Sequence, residues 1–379
     1  MKDPARDYPE LHAARVMHLP DSNPTLYVLS RYEDVRDALN NSRAFSTSQG
    51  TRPRPGIPNS LQSESPNKTS PRAILQASFS QALINRAQDS AAVKAFDLLA
   101  QLDARSNWDL HDDFALPLSI DVLGRVIGIP AKELELFQYY GEIYAAASLV
   151  QDPIISNAHW NEDLHDFSKY LLSKIIEIRQ SSHRGGVIGA LIDASVRTKE
   201  VSDHDILQLV NHLLTEGLET SATMMTNALW RVLPDRKLWQ DLGSTPGRVQ
   251  SLINESLRFD PPTLALFRTA TQTVSDYGKE IPQGGRVMLH LGAANRDPAI
   301  FYNPNRFIAD RPDAQHVTFG LGIHYCPGAQ VARAIAHAGV TTLSREAPQL
   351  NLRGQGERAQ EFYHWGRRRL PVSSKSARV

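Results

Sequence analysis

From Pro71 to Pro234 apolar positions recur at three- and four-residue spacing, which predicts helices over 75–99, 116–129, 131–149, 164–179 and 203–233. Ser202 or Asp203 can cap the last of these. It then runs without proline for roughly 30 residues, or about 45 Å, long enough to cross a whole domain. A further helix over 246–259 stops before Pro261-Pro262. Beyond it, 267–288 alternates with turn signals at Tyr277-Gly278 and Gln283-Gly284-Gly285, as short strands do. At the other end, 25–41 reads as a short β-run followed by an amphipathic helix. Residues 45–68 are rich in Ser, Pro, Gly and Asn without periodicity, and a loop of that length is expected to cover a substrate. An irregular stretch over 292–325 precedes a helix from about Gly328 and a closing hairpin near Leu370-Pro371-Val372.

With no internal repeat or linker, these parts interleave as one domain over 1–379, mainly α with a small β region (α+β). Its helix-rich parts are about 70–260 and 328–345, and its β-rich parts about 24–30, 265–290 and 350–373. The 41 basic and 41 acidic residues cancel, so no global field invites a nucleic acid or an anionic membrane. The first nineteen residues carry charges throughout, and no stretch reaches the ~20 apolar residues of a spanning helix, so a cytoplasmic protein without membrane association is expected.

One residue type changes the picture. The chain has a single cysteine, Cys326, which excludes an intrachain disulfide and a multi-thiolate zinc site. A lone cysteine is usually a small buried apolar residue. Here, however, it sits in Phe319-Gly320-Leu321-Gly322-Ile323-His324-Tyr325-Cys326-Pro327-Gly328. Flanking glycines let the backbone approach a flat group closely, and the N-terminus of the next helix favours a thiolate.

This segment resembles the haem-binding signature of the cytochrome P-450 family, Phe-Gly-x-Gly-x-His-x-Cys-x-Gly, at every fixed position. Three further segments are similar in the family's order: Glu255-Ser256-Leu257-Arg258 for its Glu-x-x-Arg pair, Phe301 to Phe307 for Phe-x-x-Pro-x-Arg-Phe, and Ala294 to Pro298. Gly366 and Leu370-Pro371-Val372 look like its terminal hairpin, so the likeness spans about 26–372. It implies a cytochrome P-450 fold holding haem b (iron protoporphyrin IX), with Cys326 as the axial metal ligand and Phe319 and Gly320 lining the cofactor. Arg306 is implied as the third member of a brace with Glu255 and Arg258. For the haem propionates it implies Arg268, His324 and Arg72. Lys68 stands where the family usually has a histidine, four residues before that arginine.

On the long helix, Leu214-Thr215-Glu216-Gly217-Leu218-Glu219-Thr220 resembles the family's oxygen-activating segment, small-Gly-x-acid-Thr. Glu219 and Thr220 hold the acid and alcohol positions of a proton relay, and Gly217 is expected to let the helix widen. Glu216 departs from the small residue usual there; one turn from Thr220, it faces the same way. It can be a neutral acid, a distal iron ligand, or a haem ester of the kind found in the fatty-acid ω-hydroxylase branch.

The resemblance therefore implies a monooxygenase inserting one atom of dioxygen into a mostly apolar small molecule. No electron-transfer domain is fused within the chain, so a separate ferredoxin and ferredoxin reductase are the implied donors, docking near Arg333, and a monomer is expected. A haem-thiolate enzyme of another reaction type, oxidative coupling or peroxide-driven oxidation, would share the motifs; a non-enzymatic haem sensor or carrier would lack a use for Glu219-Thr220. The substrate pocket is expected from the 45–68 loop, Tyr139, Tyr140, Tyr144, residues 213–216 and 263–267, and Tyr363-His364-Trp365.

Overall fold

In the computed structural model, which describes residues 4–53, 64, 70–102, 104–149, 158–182, 184–199, 201–245, 247–312, 315–358 and 364–374, the Ser202 signal is used as expected. Asp205 N–H donates to Ser202 Oγ at 3.1 Å and Ser202 N–H to Asp205 Oδ2 at 2.9 Å, a reciprocal capping box that starts the helix Asp203–Val232. The chain divides into two compact units, 1–65 with 245–326 and 357–368, and 66–244 with 327–356 and 369–379.

The first unit is built on a five-stranded sheet whose spatial order is Met17–Leu19, Leu26–Leu29, Arg286–Leu289, Leu266–Ala270, Phe45–Ser46. The pairing of Leu26–Leu29 with Arg286–Leu289 is parallel, Leu29 opposite Leu289; the others are antiparallel. Leu29, Val35, Phe45, Val287 and Leu289 bury one core against this sheet. Buried Arg286 ties the segment after Phe45–Ser46 down, donating to Gly50 O at 3.0 Å, Pro53 O at 3.3 Å and Thr269 Oγ1 at 2.9 Å. Of the expected 45–68 loop, only 45–53 and Glu64 fall within the described residues. The expected strand region 267–288 narrows to Leu266–Ala270 and Arg286–Leu289, with a single Val274–Ile281 bridge between them.

The second unit is helical, with one small sheet. The expected 75–99 helix is two, Pro71–Ser78 and Gln81–Leu102. Ser70 caps the first through Ala73 N–H at 3.4 Å, and Ser80 accepts from Leu83 N–H at 3.3 Å to open the second. Helices Gly186–Thr198 and Arg236–Leu242 escape the sequence pattern, and Ala158–Gln180 begins earlier than 164. The helix Ala329–Glu346 packs on the long helix at Gly339, where a Cβ would lie 2.5 Å from Met225 Sδ. The closing strand Pro371–Ser373 pairs antiparallel with Asn107–Asp109 and Asn351–Leu352, and Arg367–Arg369 pairs with Glu357–Arg358, so the end of the chain folds back on itself where a hairpin is expected. Among the described residues, no helix is long and apolar enough to cross a membrane.

Candidate active site

The cysteine loop belongs to the first unit. Val317 O accepts from Gly320 N–H at 2.9 Å, Gly322 O from Tyr325 N–H at 3.1 Å, and Phe319 O from Cys326 N–H at 2.9 Å, so the loop closes on itself at the cysteine. Gly320 and Gly322 take φ of 68° and 65°, a region where a side chain would strain the backbone. These are two of the three glycines whose positions the motif fixes. Cys326 is half-buried.

What holds this loop is a buried charge network. Arg258 and Glu255, both 0% exposed, meet through two bonds, Nε to Oε2 at 2.7 Å and Nη2 to Oε1 at 2.8 Å. Arg258 Nη1 also donates to Asn295 O at 2.9 Å and Pro304 O at 3.0 Å. Asn295 Oδ1 accepts from Val317 N–H at 2.8 Å, and Thr318 Oγ donates to Leu257 O at 2.7 Å, which anchors the entrance of the cysteine loop to the Arg248–Phe259 helix. The third member of the network is Arg311 and not Arg306. Arg311 Nε donates to Glu255 Oε2 at 2.9 Å, and its Nη atoms clasp Tyr302 O and Arg306 O at 2.7 and 3.0 Å. Arg306 is exposed and contributes its carbonyl, because the next residue, Phe307, turns inward to pack edge-on against Phe259, with ring centroids 5.6 Å apart.

Arg268 and His324 lie in the same unit. Arg268 is 2% exposed and donates to Phe267 O at 2.9 Å, and the His324 imidazole lies 3.2 Å from Thr47 Oγ1. A carboxylate that the motifs give no reason to expect stands there: Glu64 Oε2 accepts from Ser46 Oγ at 2.9 Å, and its Oε1 lies 3.0 Å from Thr47 Oγ1 and 3.7 Å from His324 Nε2. Ser46, Thr47 and His324 thus already surround one carboxylate, the chemistry a propionate also presents. Trp365 is fixed nearby in sequence terms to the Glu-x-x-Arg helix, its Nε1 donating to Asp260 Oδ1 at 2.9 Å, and His364 bridges to Thr263. Lys68 and Tyr363 lie outside the described residues.

Glu216, Gly217, Glu219 and Thr220, which the resemblance implies for oxygen activation, lie in the second unit with Arg72, the last in the first turn of Pro71–Ser78 and half-buried. Residues 221–229 of the long helix are all buried, yet Leu213, Glu216, Gly217 and Thr220, spaced i, i+3, i+4 and i+7 on one face, stay half-exposed. Thr220 Oγ1 donates to Glu216 O. The helix remains α-helical across Gly217, so the expected widening is absent; the glycine instead admits Leu123, whose Cδ1 would lie 3.2 Å from a Cβ. Glu219 is buried and its Oε1 lies 3.1 Å from His111 Nε2. His111 is a partner that sequence reasoning missed, since His111-Asp112-Asp113 reads as a polar surface run. Of the three tyrosines, Tyr144 reaches the long helix, its hydroxyl 2.8 Å from Thr215 Oγ1. Burial pushes its pKa up, the Thr215 bond opposes, and the Glu216 charge adds to the rise, so Glu216 is felt there. Tyr140 stacks on Phe167 with ring centroids 5.2 Å apart, and Tyr139 is 54% exposed.

An iron porphyrin fits these residues. The first unit supplies a half-buried thiol on a loop closed by its own backbone bonds, and, elsewhere in the same unit, a buried guanidinium and an imidazole. In the second, a half-exposed stripe carries an acid and an alcohol. At Gly328 a Cβ would meet nothing within 4 Å, so space is left two residues after the cysteine. When bound, haem supplies iron for dioxygen activation, and Cys326 donates electron density to it.

Comparison with known proteins agrees. The family model described as cytochrome P-450 matches residues 232–345. A cytochrome P-450 of Bacillus subtilis is 28% identical over 342 residues, covering 87% of this chain and 82% of its own. The vitamin D(3) 25-hydroxylase of Pseudonocardia autotrophica is 29% identical over 351 residues, covering 89% and 84%. The fold superposes on CYP109E1 of Bacillus megaterium in complex with testosterone at a TM-score of 0.86 and 23% identity, over 99% of this chain and 100% of that one. The chain belongs to the cytochrome P-450 family and is a haem-thiolate monooxygenase.

Proposed function

We propose that this enzyme inserts one oxygen atom into a mostly apolar small molecule, drawing electrons from a separate ferredoxin and its reductase. The observation that carries this reading is the acid and alcohol placed at successive positions of the long helix, Glu219 buried and Thr220 on the half-exposed face. Glu219 relays protons toward the site, and Thr220 Oγ1, already oriented by its bond to Glu216 O, presents the hydroxyl that passes them on. A peroxide-driven enzyme or a gas carrier has no need of this pair. Relatives named for vitamin D(3) and seen with testosterone support an apolar, polycyclic substrate class. Arg268, His324 and Arg72 hold the propionates, Lys68 adds to them, Phe319 and Gly320 line the cofactor, and Arg333 belongs to the surface that meets an acidic donor. We assign the protein to the cytoplasm as a monomer.

Thr220→Ala is expected to keep haem and substrate binding while lowering product formed per NAD(P)H by at least roughly tenfold, since a positioned proton-transfer group contributes on the order of 10²–10⁴-fold, with peroxide rising to match. Unchanged coupling under ferredoxin-supplied electrons would remove the relay role.

Glu216 shares Thr220's face, and its charge reaches Tyr144, so we assign it a non-covalent role beside the cofactor, anchoring a polar substrate group or assisting proton delivery. After turnover, acid-acetone is expected to extract all the haem unmodified, and Glu216→Ala to alter substrate affinity or product profile. Haem retained on the protein would mean an ester instead. A Glu216→Ala variant with unaltered spectra, affinity and products would end the assignment.

A further inference from the structure

Glu219 is bonded from outside its own helix. Between the strand Asn107–Asp109 and the helix Leu116–Ile127 the chain makes one widened π-helical turn, Leu110–Ala115. Asp109 fixes its start: its Oδ1 accepts from His111 N–H at 2.8 Å and Asp112 N–H at 3.2 Å, and its Oδ2 from Leu370 N–H at 2.9 Å. The backbone of His111 is therefore set by three elements. Its ring has a carboxylate at each end, Asp112 Oδ1 at 2.7 Å from Nδ1 and Glu219 Oε1 at 3.1 Å from Nε2. The side chains are 4% exposed for His111, 10% for Glu219 and 53% for Asp112, so the three groups run from solvent to the buried acid.

Ionised carboxylates only accept hydrogen bonds, and a neutral imidazole has a single N–H to give. Both contacts are satisfied together when both ring nitrogens carry protons. We propose that His111, as an imidazolium, is the positioning residue for the oxygen-activating acid, fixing Glu219 Oε1 and holding the carboxylate ready between proton deliveries, with Asp112 balancing the ring's second N–H at the surface. The inference rests on the role given to Glu219 above.

The charged groups interacting with the ring are Asp112 from its own turn and Glu219 from the long helix; Asp109 takes only its backbone N–H. Burial opposes the ring's charge, but the two carboxylates outweigh it and raise its pKa to about 9 from the usual 6.5. The sign follows: the cation, and its hold on Glu219, is complete below 6.5 and is lost as pH rises through about 9.

The test compares wild type, His111→Gln, Asp112→Asn and Glu219→Gln as haem-loaded proteins. Histidine side-chain NMR, with His111 assigned by its absence in His111→Gln, is expected to show titration near pH 9 in the wild type and a midpoint moved toward 6.5 in both carboxylate variants. Product per NAD(P)H in the wild type should decline along an alkaline limb near pH 9; His111→Gln should be several-fold lower at neutral pH and lack that limb, with substrate-binding spectra unchanged. A His111 midpoint at or below 6.5 that Glu219→Gln does not move, or wild-type coupling in His111→Gln, overturns the proposal. Should His111→Gln fail to fold, the difference between wild-type and Glu219→Gln titrations decides. If the midpoint moves as expected yet Glu219→Gln couples like wild type, the positioning is real but the role of Glu219 is wrong, and the proposal falls with it.

Discussion

Glu255→Ala is expected to destabilise the protein by about 3–5 kcal/mol, enough to consume much of a typical fold's stability. The Glu255 carboxylate receives Arg258, Arg311 and the backbone N–H of Ile308, the last at 2.8 Å, with both guanidiniums almost fully buried. Truncating it leaves two cations without their counter-charge where water cannot reach them. Arg311→Ala should be severe for the same reason, since it also releases the carbonyls of Tyr302 and Arg306. Arg306→Ala should stay within about 0.5 kcal/mol, as expected of an exposed side chain. Urea midpoints measured with unchanged slopes give the comparison. An Arg306→Ala loss exceeding that of Arg311→Ala would show that the brace is misassigned.

The Arg306 expectation illustrates where reading from sequence stops. The stretch 301–307 does carry the expected loop, but which of two arginines five residues apart points inward is set by Phe307 docking on Phe259, a tertiary contact with no local signature. His111 is similar. Its sequence neighbours are polar, and nothing in 3.6-residue periodicity marks a π turn that swings one imidazole into the core. Glu64 lies in a stretch without periodicity, so its place at His324 depends on a long-range meeting of chain segments.

Other features were legible because their causes are local. The long helix announces itself through the capping signal at Ser202 and through the absence of proline over its length, and the structure adds Asp205 as the reciprocal partner. The cysteine loop is legible because φ near 65° at two positions demands glycine, and both belong to the motif. The break at 79–80 escapes for an equally local reason: Ser80, three residues from the Leu83 N–H it caps, competes with continuing the helix, and apolar spacing alone does not register that competition. Gly217 was legible as special, although the cause is Leu123 rather than a widened helix.

The largest expected effect belongs to Cys326. A thiolate axial ligand gives reduced, carbon-monoxide-bound haem a strongly red-shifted absorption band, and the chain has no second cysteine to replace the first. Cys326→Ser keeps the size and the backbone of the loop, including the Cys326 N–H bond to Phe319 O, so the variant should remain folded. The most direct measurement is therefore the reduced carbon-monoxide difference spectrum of wild type and Cys326→Ser, each loaded with haem to known stoichiometry. The red-shifted band is expected in the wild type and absent from the variant. The same band in Cys326→Ser, or haem-loaded wild type without it, would contradict ligation of the iron by this cysteine.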